Sequence, residues 1–403
     1  MDAKNKGFPP LIGIYAKYDC MIDRPFWRGR IEQAWSQAPI VWLAGVRRVG
    51  KTVLAQSMGS EKTHYLDCDL PVAAQMVGDP EFFYRNCDRP VVIFDEIHQL
   101  ENPSRVLKIG ADHFGHLKIL ATGSSTLAAS SKFRDTLAGR KRQVHLLPVL
   151  WDELAAFDSV PPLRRLYHGG LPQALMSREK TPEFYREWID LFFARDIQRI
   201  FSFRAPEKFN ALFEYLMQQS GGLFEVTRAA GSLGISRPTV ESHLQALAAT
   251  HAVTLLRPFH GSGQKEIVKM LKVYGFDTGF VSFCRGWHPL RPDDYGLLWE
   301  HVVLEYLQAH EWRWPIYYWR DAAGREVDFV IPRGRDLVDA IECKWDPAHF
   351  DHTALKLFRS YYPAGRNYVI SPQLVRSYAR RLGGLEILVC NPGGWKATAE
   401  SSS

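Results

Sequence analysis

Gly45-Val46-Arg47-Arg48-Val49-Gly50-Lys51-Thr52 has the spacing G-x-x-x-x-G-K-[ST], and residues of these types at that spacing hold phosphate. The two glycines let backbone N–H groups close around an anion at a helix N-terminus, where the dipole already favours negative charge. Lys51 then reaches the β- and γ-phosphates of a nucleoside triphosphate such as ATP, and the Thr52 hydroxyl goes to Mg2+. A second pair, Asp95-Glu96, closes the apolar run from Val91 to Phe94. A buried strand ending this way carries its carboxylates to the end of the sheet where open α/β folds bind ligands. There Asp95 is placed to hold Mg2+ through water and Glu96 to polarise an attacking water. A third constellation lies far downstream, with Asp328 in one strand candidate and Glu342-x-Lys344 in the next. Its carboxylates suit Mg2+, and Lys344 suits activation of water or stabilisation of developing negative charge. Glu300, on a helix candidate from Leu297 to Gln308, completes that carboxylate set, a role Glu305 contests.

These residues need elements to position them. Pro39 to Ala44 reads as a buried parallel strand ahead of the Gly45 loop, and Val53 to Met58 opens a helix behind it. His64 to Cys68 is the next strand, and Leu117 to Ala121 another, which runs into Thr122-Gly123-Ser124-Ser125. A polar side chain at that strand end can sense a γ-phosphate; the same residues also read as a loop with a helix cap at Ser124 or Ser125. A further strand, Val144 to Val149, follows the basic Gly139-Arg140-Lys141-Arg142.

Taken together, Gly45 to Thr52, Tyr65-Leu66-Asp67, Phe94-Asp95-Glu96-Ile97-His98, Ala121 to Ser125 and Leu137-Ala138-Gly139-Arg140 make the chain resemble the AAA+ ATPases. It is closest in pattern to the prokaryotic group that joins such a module to a C-terminal domain of formerly unknown function. Gly169-Gly170-Leu171-Pro172 and Ala194-Arg195-Asp196-Ile197 extend the resemblance along nearly the whole chain. It implies that Ser124 or Ser125 is a sensor and that Arg140 is an arginine finger offered to a neighbouring subunit's γ-phosphate. The pattern places no second sensor arginine.

From Trp151 to about Phe203 the apolar spacing of Phe184, Trp188, Leu191, Phe192 and Ile197 predicts a helical lid and connector. Beyond Pro206 come an amphipathic helix, a short helix from Thr227 to Leu233, a turn at Gly234-Ile235-Ser236 and a helix from Arg237 to Ala248. Ala230, Gly234 and Val240 sit where a helix-turn-helix needs a small residue, a turn glycine and a core anchor. Ser236, Arg237, Thr239 and Ser242 then occupy the half of the second helix that meets DNA. Val253 to Phe259 and Glu266 to Met270 flank His260-Gly261-Ser262-Gly263-Gln264 as a wing. A winged helix of this form serves equally as a protein docking or lid module.

In the C-terminal part, Glu326 to Ile331 and Leu337 to Lys344 alternate so that Asp328, Glu342 and Lys344 take facing positions, the PD-(D/E)xK nuclease arrangement with Val327 in place of the proline. Such a domain cleaves DNA or acts as a DNA-binding or docking module.

The expected fold class is α/β: a P-loop parallel-sheet core over 1–150, a helical connector over 151–205, a winged helix-turn-helix over 206–272 and a nuclease-like α/β domain over 273–403. A chain of 403 residues has room for several cores. Its 46% hydrophobic and 23% charged content is that of an ordinary soluble protein, and it offers neither a bilayer-length apolar run nor a signal-peptide core. The cytoplasm is therefore expected. The six cysteines lack C-x-x-C spacing, which argues against a zinc ribbon and a disulfide framework. A net charge of +6 permits a nucleic-acid partner without demanding one. ATP hydrolysis coupled to DNA binding or remodelling, with a homo-oligomer or ring as the assembly, is the expectation. The alternative is a nucleotide-dependent switch whose C-terminal domains bind a protein partner.

Overall fold

The apolar runs of the N-terminal region become the strands of a parallel sheet in a computed structural model that describes residues 22–123, 136–198, 201, 206–260, 270–310 and 313–400. The chain divides into two compact units between Leu146 and Leu147. In the first, β1 (Ile40–Ala44), β2 (Thr63–Asp67), β3 (Val91–Asp95), β4 (Lys118–Thr122) and β5 (Lys141–His145) lie in the order β2-β3-β4-β1-β5. Every pairing is parallel. β1 is buried at every position, as a strand covered on both faces must be. Trp42, Phe83, Tyr84, Phe94, Leu107 and Ile119 form the core beneath the sheet. Each such side chain contributes about 1.5–3 kcal/mol on burial.

The order matters more than the count, because β4 lies between β1 and β3. It brings the end of β4 between the loop after β1 and the acid pair after β3. The last strand begins at Lys141, earlier than the expected Val144, and ends at His145. Among the described residues β5 has only β1 for a neighbour, so an edge position tolerates exposed Arg142 and Gln143 while Val144 packs inward. Leu146, Leu147 and Val149 are buried as loop residues.

The second unit holds the regions expected as connector, winged helix and C-terminal domain, packed as one body. Arg165 is fully buried and donates to Val149 O at 2.9 Å, to Thr278 Oγ1 at 3.0 Å and to Glu305, joining three segments distant in sequence. Asp277 accepts from Gly170 N at 2.6 Å. Gly169 has φ 85°, and a Cβ there would lie 1.9 Å from Asp277 Oδ1, which explains the Gly169-Gly170 pair physically.

Helix α1 (Pro206–Gln218) is followed by α2 (Val226–Leu233) and α3 (Arg237–Ala249). β6 (Gly222–Phe224), β7 (Val253–Leu256) and β8 (Leu271–Gly275) form an antiparallel sheet in the order β6-β8-β7. The domain boundary expected at 272/273 falls inside β8, which hydrogen-bonds to both neighbours and cannot be divided there. Of the expected wing, residues 261–269 lie outside the described residues. Helix α4 (Pro292–His310) then leads to a six-stranded mixed sheet containing β9 (Tyr317–Arg320), β10 (Glu326–Pro332), β11 (Val338–Cys343) and β12 (Asn367–Ile370). Trp319, Val330, Leu355, Phe358 and Val369 pack on its concealed face.

Candidate functional site

The loop after β1 is shaped by conformations that few residues adopt. A Cβ at Gly45 would meet Leu146 O at 2.6 Å, and Arg48 and Gly50 have φ 61° and 101°. Val46 and Val49 are buried anchors, and Arg24 Nη1 donates to Val49 O at 3.2 Å. Lys51 folds into its own loop, donating to Gly45 O at 2.9 Å and Val46 O at 3.1 Å. Its ammonium is therefore already inside the cradle, poised where phosphate oxygens would replace carbonyls. Arg47 and Arg48 are half-buried.

Asp95 is 2% exposed and both of its oxygens accept hydrogen bonds. Tyr65 Oη donates to Oδ2 at 2.7 Å, and Thr122 Oγ1 donates to Oδ1. Thr122 Oγ1 in turn accepts from Glu96 N at 2.9 Å. Burial raises the Asp95 carboxyl above its ordinary range, while the hydroxyls of Thr122, Tyr65 and Thr52 restrain it. Thr52 and Asp95 thus meet in one place, and an Asp95 with both oxygens engaged fits contact with Mg2+ through water. Glu96 has φ 53°, a left-handed conformation costly for a non-glycine residue. Burial alone would raise its carboxyl; the His98 imidazole, 3.0 Å away, together with Lys51 and Arg47, brings it below the ordinary range. An ionised, oriented carboxylate beside the phosphate cradle is what a general base requires.

Ser124 and Ser125 lie outside the described residues. Arg140 is at the start of β5, beside Ile40 at the start of β1, whereas the phosphate loop leaves the far end of β1. At ~3.3 Å per residue, that places about a strand's length between Arg140 and its own loop. The guanidinium pairs instead with Asp112 at 2.5 and 3.1 Å.

In the second unit, β10 and β11 pair antiparallel with Phe329 opposite Ile341, a register whose next step sets Asp328 beside Glu342. Asp328 Oδ2 accepts from Cys343 N at 2.7 Å and lies 3.7 Å from Lys344 Nζ, which donates to Glu342 Oε2 at 2.9 Å. Glu300 reaches Asp328 from α4: one oxygen each of Glu300, Glu326 and Asp328 lie within 4.8 Å of one another. Glu305 is engaged elsewhere, with Arg165. Burial, with Asp328 beside it, raises the Glu342 carboxyl, and its Oε1 is buried without a hydrogen-bond partner among the described residues. Such an oxygen calls for a cation or a proton, so the carboxylate set fits a divalent ion. Lys272 Nζ, on β8, lies 3.0 Å from Glu300 Oε1 and 2.6 Å from Glu326 Oε1. Burial alone would lower that ammonium, but Glu300 and Glu326 hold it well above the usual lysine range. Tyr274 Oη donates to Glu300, and Arg320 Nη1 to Glu326 Oε2 at 2.8 Å.

Between the two helices α2 and α3, Gly234 has φ 61° and caps the first, while Ser236 accepts from Thr239 N at 3.2 Å and caps the second. Ala230 and Val240 are buried; Ser236, Arg237 and Ser242 are exposed and Thr239 is half-exposed.

Residues 37–155 match the model of the AAA domain family. They form an AAA domain. It is of the P-loop ATPase type, with the nucleotide cradle that such an enzyme needs. Residues 163–291 and 295–382 match two further families, each described as a domain of unknown function (DUF8612 and DUF4143). Uncharacterized proteins of Mycobacterium bovis and Mycobacterium tuberculosis are each 27% identical over 326 residues, 78% of this chain and 73% of the relative. Among solved structures, a Walker-type ATPase of Pyrococcus abyssi is 14% identical, covering 66% of this chain and 96% of its own, with a TM-score of 0.45. A signal transduction ATPase of Pyrococcus horikoshii with a tetratricopeptide repeat sensor is 12% identical, covering 70% and 46%, with a TM-score of 0.26. Among the described residues no helix is long and apolar enough to cross a membrane.

Sequence reasoning passed over Tyr65 and His98 as partners of the AAA domain's acids, and assigned the polar end of β4 to its serines while Thr122 holds Asp95. Outside the AAA domain it passed over Glu326, Lys272, Tyr274 and Arg320. The alternation that sets Glu342 and Lys344 on one face sets Glu326 and Asp328 on one face too. Lys272 stands alone as a charge in Leu271-Lys272-Val273-Tyr274-Gly275, and a charge in a buried strand demands a partner.

Proposed function

We propose that this chain is an AAA+ ATPase that couples ATP hydrolysis to DNA binding or remodelling, and that its C-terminal part is a PD-(D/E)xK-like nuclease domain that cleaves DNA with Mg2+. The observation that carries the reading beyond an ATPase is that Asp328 meets Glu300 and Glu326 on one side and Lys344, held by Glu342, on the other, with the Glu342 Oε1 atom buried and unpartnered among the described residues.

In the ATP site, the backbone of Gly45 to Gly50 binds the phosphates and Lys51 exchanges its loop carbonyls for phosphate oxygens. Thr52 and Asp95 hold Mg2+, Asp95 through water, and Glu96 takes the proton of the attacking water. Ser124 is the sensor, and Arg140 acts on a neighbouring subunit's nucleotide. Its place at the opposite end of the sheet supports action in trans, and hence a homo-oligomer, over action on its own loop. At the second site, Glu300, Asp328 and Glu342 are the residues to hold Mg2+, which when bound supplies Lewis-acid charge against phosphate. Lys344 is held by Glu342 and Asp328 and stabilises charge on the phosphate oxygens. Helices α2 and α3 form the helix-turn-helix of a winged module, with Arg237, Thr239 and Ser242 toward DNA. The cytoplasm is the compartment in which ATP and DNA are both available.

One observation favours a second reading. The exposed surface of the two helices carries Glu225 and Glu241 beside Arg228 and Arg237, a mixed pattern that suits a protein partner of a nucleotide-dependent switch. Steady-state ATPase rates with duplex, single-stranded and branched DNA separate the two. DNA is expected to raise the rate; a rate indifferent to all three, with no binding of any, would leave the switch.

A further inference from the structure

The carboxylate site of the second unit is not built from the C-terminal sheet and its helix alone. β8, paired with β6 and β7 on the strand sheet beside α2 and α3, delivers Lys272 and Tyr274 into it. Lys272 is 2% exposed, and its ammonium bridges Glu300 Oε1 at 3.0 Å and Glu326 Oε1 at 2.6 Å. Both of those oxygens are thereby engaged, and Arg320 engages the second oxygen of Glu326. The Glu342 Oε1 atom is buried and has no hydrogen-bond partner among the described residues. The cluster therefore has two parts, each with a lysine ammonium: Lys272 between Glu300 and Glu326, and Lys344 beside Glu342 Oε2 and Asp328 Oδ2, where Glu342 Oε1 is still left as an open acceptor.

We propose that Lys272 permanently fills one cation position of the carboxylate site, so that the site takes a single divalent ion, on the Asp328–Glu342 side, where two would otherwise fit; Lys272 and Tyr274 both take Glu300 Oε1, which leaves Glu300 to that ion only through its second oxygen. This rests on the metal-binding reading given above for that site. A lysine ammonium carries one charge on a tether and a divalent ion carries two with open coordination. Substituting the first for the second keeps Glu300 and Glu326 together in a buried place without offering a second Lewis acid. The arrangement also makes the site depend on a strand hydrogen-bonded into the sheet beside the helix pair. Tyr274, which donates to the same Glu300 oxygen, fixes the carboxylate against which Lys272 is set.

The test is calorimetric titration of the full chain with Mn2+, with the Lys51→Ala substitution in the background and no nucleotide present, so that the ATP site contributes no metal binding. The proteins compared are this background, Lys272→Met in it, and Lys272→Met with Glu326→Gln. The background is expected to take one Mn2+. Lys272→Met is expected to take a second, and thermal melts should show it destabilised in EDTA and restored by Mn2+ by more than the background is raised. In the variant that also carries Glu326→Gln, the second ion should be lost, since one of the two carboxylates facing the vacated position is then uncharged. If the background takes no Mn2+ and Lys272→Met takes one, Lys272 is the resident cation while the Mg2+-dependent nuclease reading fails. Equal stoichiometry and affinity with and without Lys272, in proteins that melt cooperatively, would overturn the inference. A Lys272→Met protein that melts without cooperativity at every Mn2+ concentration would overturn it as well, because a divalent ion would then be unable to take the lysine's place.

Discussion

Thr122→Val removes the hydroxyl that holds Asp95 and accepts from Glu96 N, and leaves the phosphate loop itself untouched. The two side chains have nearly the same shape, so the packing of β4 is kept while an oxygen becomes a methyl group. In the native protein that oxygen donates to Asp95 Oδ1 and accepts from Glu96 N at 2.9 Å. A hydrogen bond to a charged group contributes about 1.5–3 kcal/mol, and at ~1.4 kcal/mol per decade its loss corresponds to roughly 10- to 150-fold in an equilibrium. The loss falls on the ionised form of Asp95, because burial already raises that carboxyl and Thr122 is the strongest of the groups restraining it. In EDTA, ATP should bind the variant as it binds the native protein, since Lys51 and the loop backbone are untouched. With Mg2+ present, the gain in ATP affinity should shrink by that 10- to 150-fold. In the proposed mechanism Asp95 acts ionised, so activity should be lost as pH falls through the Asp95 pKa; raising the pKa further should move this acid limb of kcat/KM to higher pH. Calorimetric titration with and without Mg2+, beside a pH–rate profile, reads both effects, and Thr122→Ser should restore them. A Thr122→Val protein with the native Mg2+ gain and an unmoved acid limb would show that the hydroxyl does not tune Asp95.

Lys51→Ala should abolish ATP binding in a filter or calorimetric assay, while Glu96→Gln should bind ATP and lose turnover by at least about 100-fold, the usual scale for a missing general base. Arg140→Ala should leave the melting temperature unchanged, because its Asp112 partner is on the surface, yet lower turnover; mixing it with Lys51→Ala subunits should restore part of the rate, and no rescue at any ratio would refute action in trans. Substituting Arg237 and Thr239 should weaken duplex binding in fluorescence anisotropy, and native affinity should fall steeply with salt as phosphate contacts release counterions. Glu342→Ala should abolish Mg2+- or Mn2+-dependent nicking of plasmid DNA and leave ATPase turnover intact; nicking that survives it would remove the nuclease reading.

What the sequence made legible is what neighbouring residues decide. The Gly45 to Thr52 loop, the acids closing β3, and the turn at Gly234 are all set by local backbone demands, since a glycine at φ 61° or a carboxylate at the end of an apolar run depends on few distant atoms. The register of β10 with β11 was legible for the same reason: alternation fixes the face, and a short connection limits the pairing. Thr122 was not legible as the partner of Asp95 because the contact depends on β4 lying between β1 and β3, and strand order leaves no mark in any single strand. β5 was misplaced by three residues because the apolar signal at Val144 to Val149 marks burial, whereas strand pairing here starts on the polar residues of an edge. Lys272 shows where the limit lies. A lone charge in an apolar strand announces that a buried partner exists, because an unpaired ammonium in such a place is too costly to persist. It does not say which of the chain's carboxylates answers it. That answer required Glu300 from a helix and Glu326 from another sheet to arrive at the same point, a fact of tertiary packing alone.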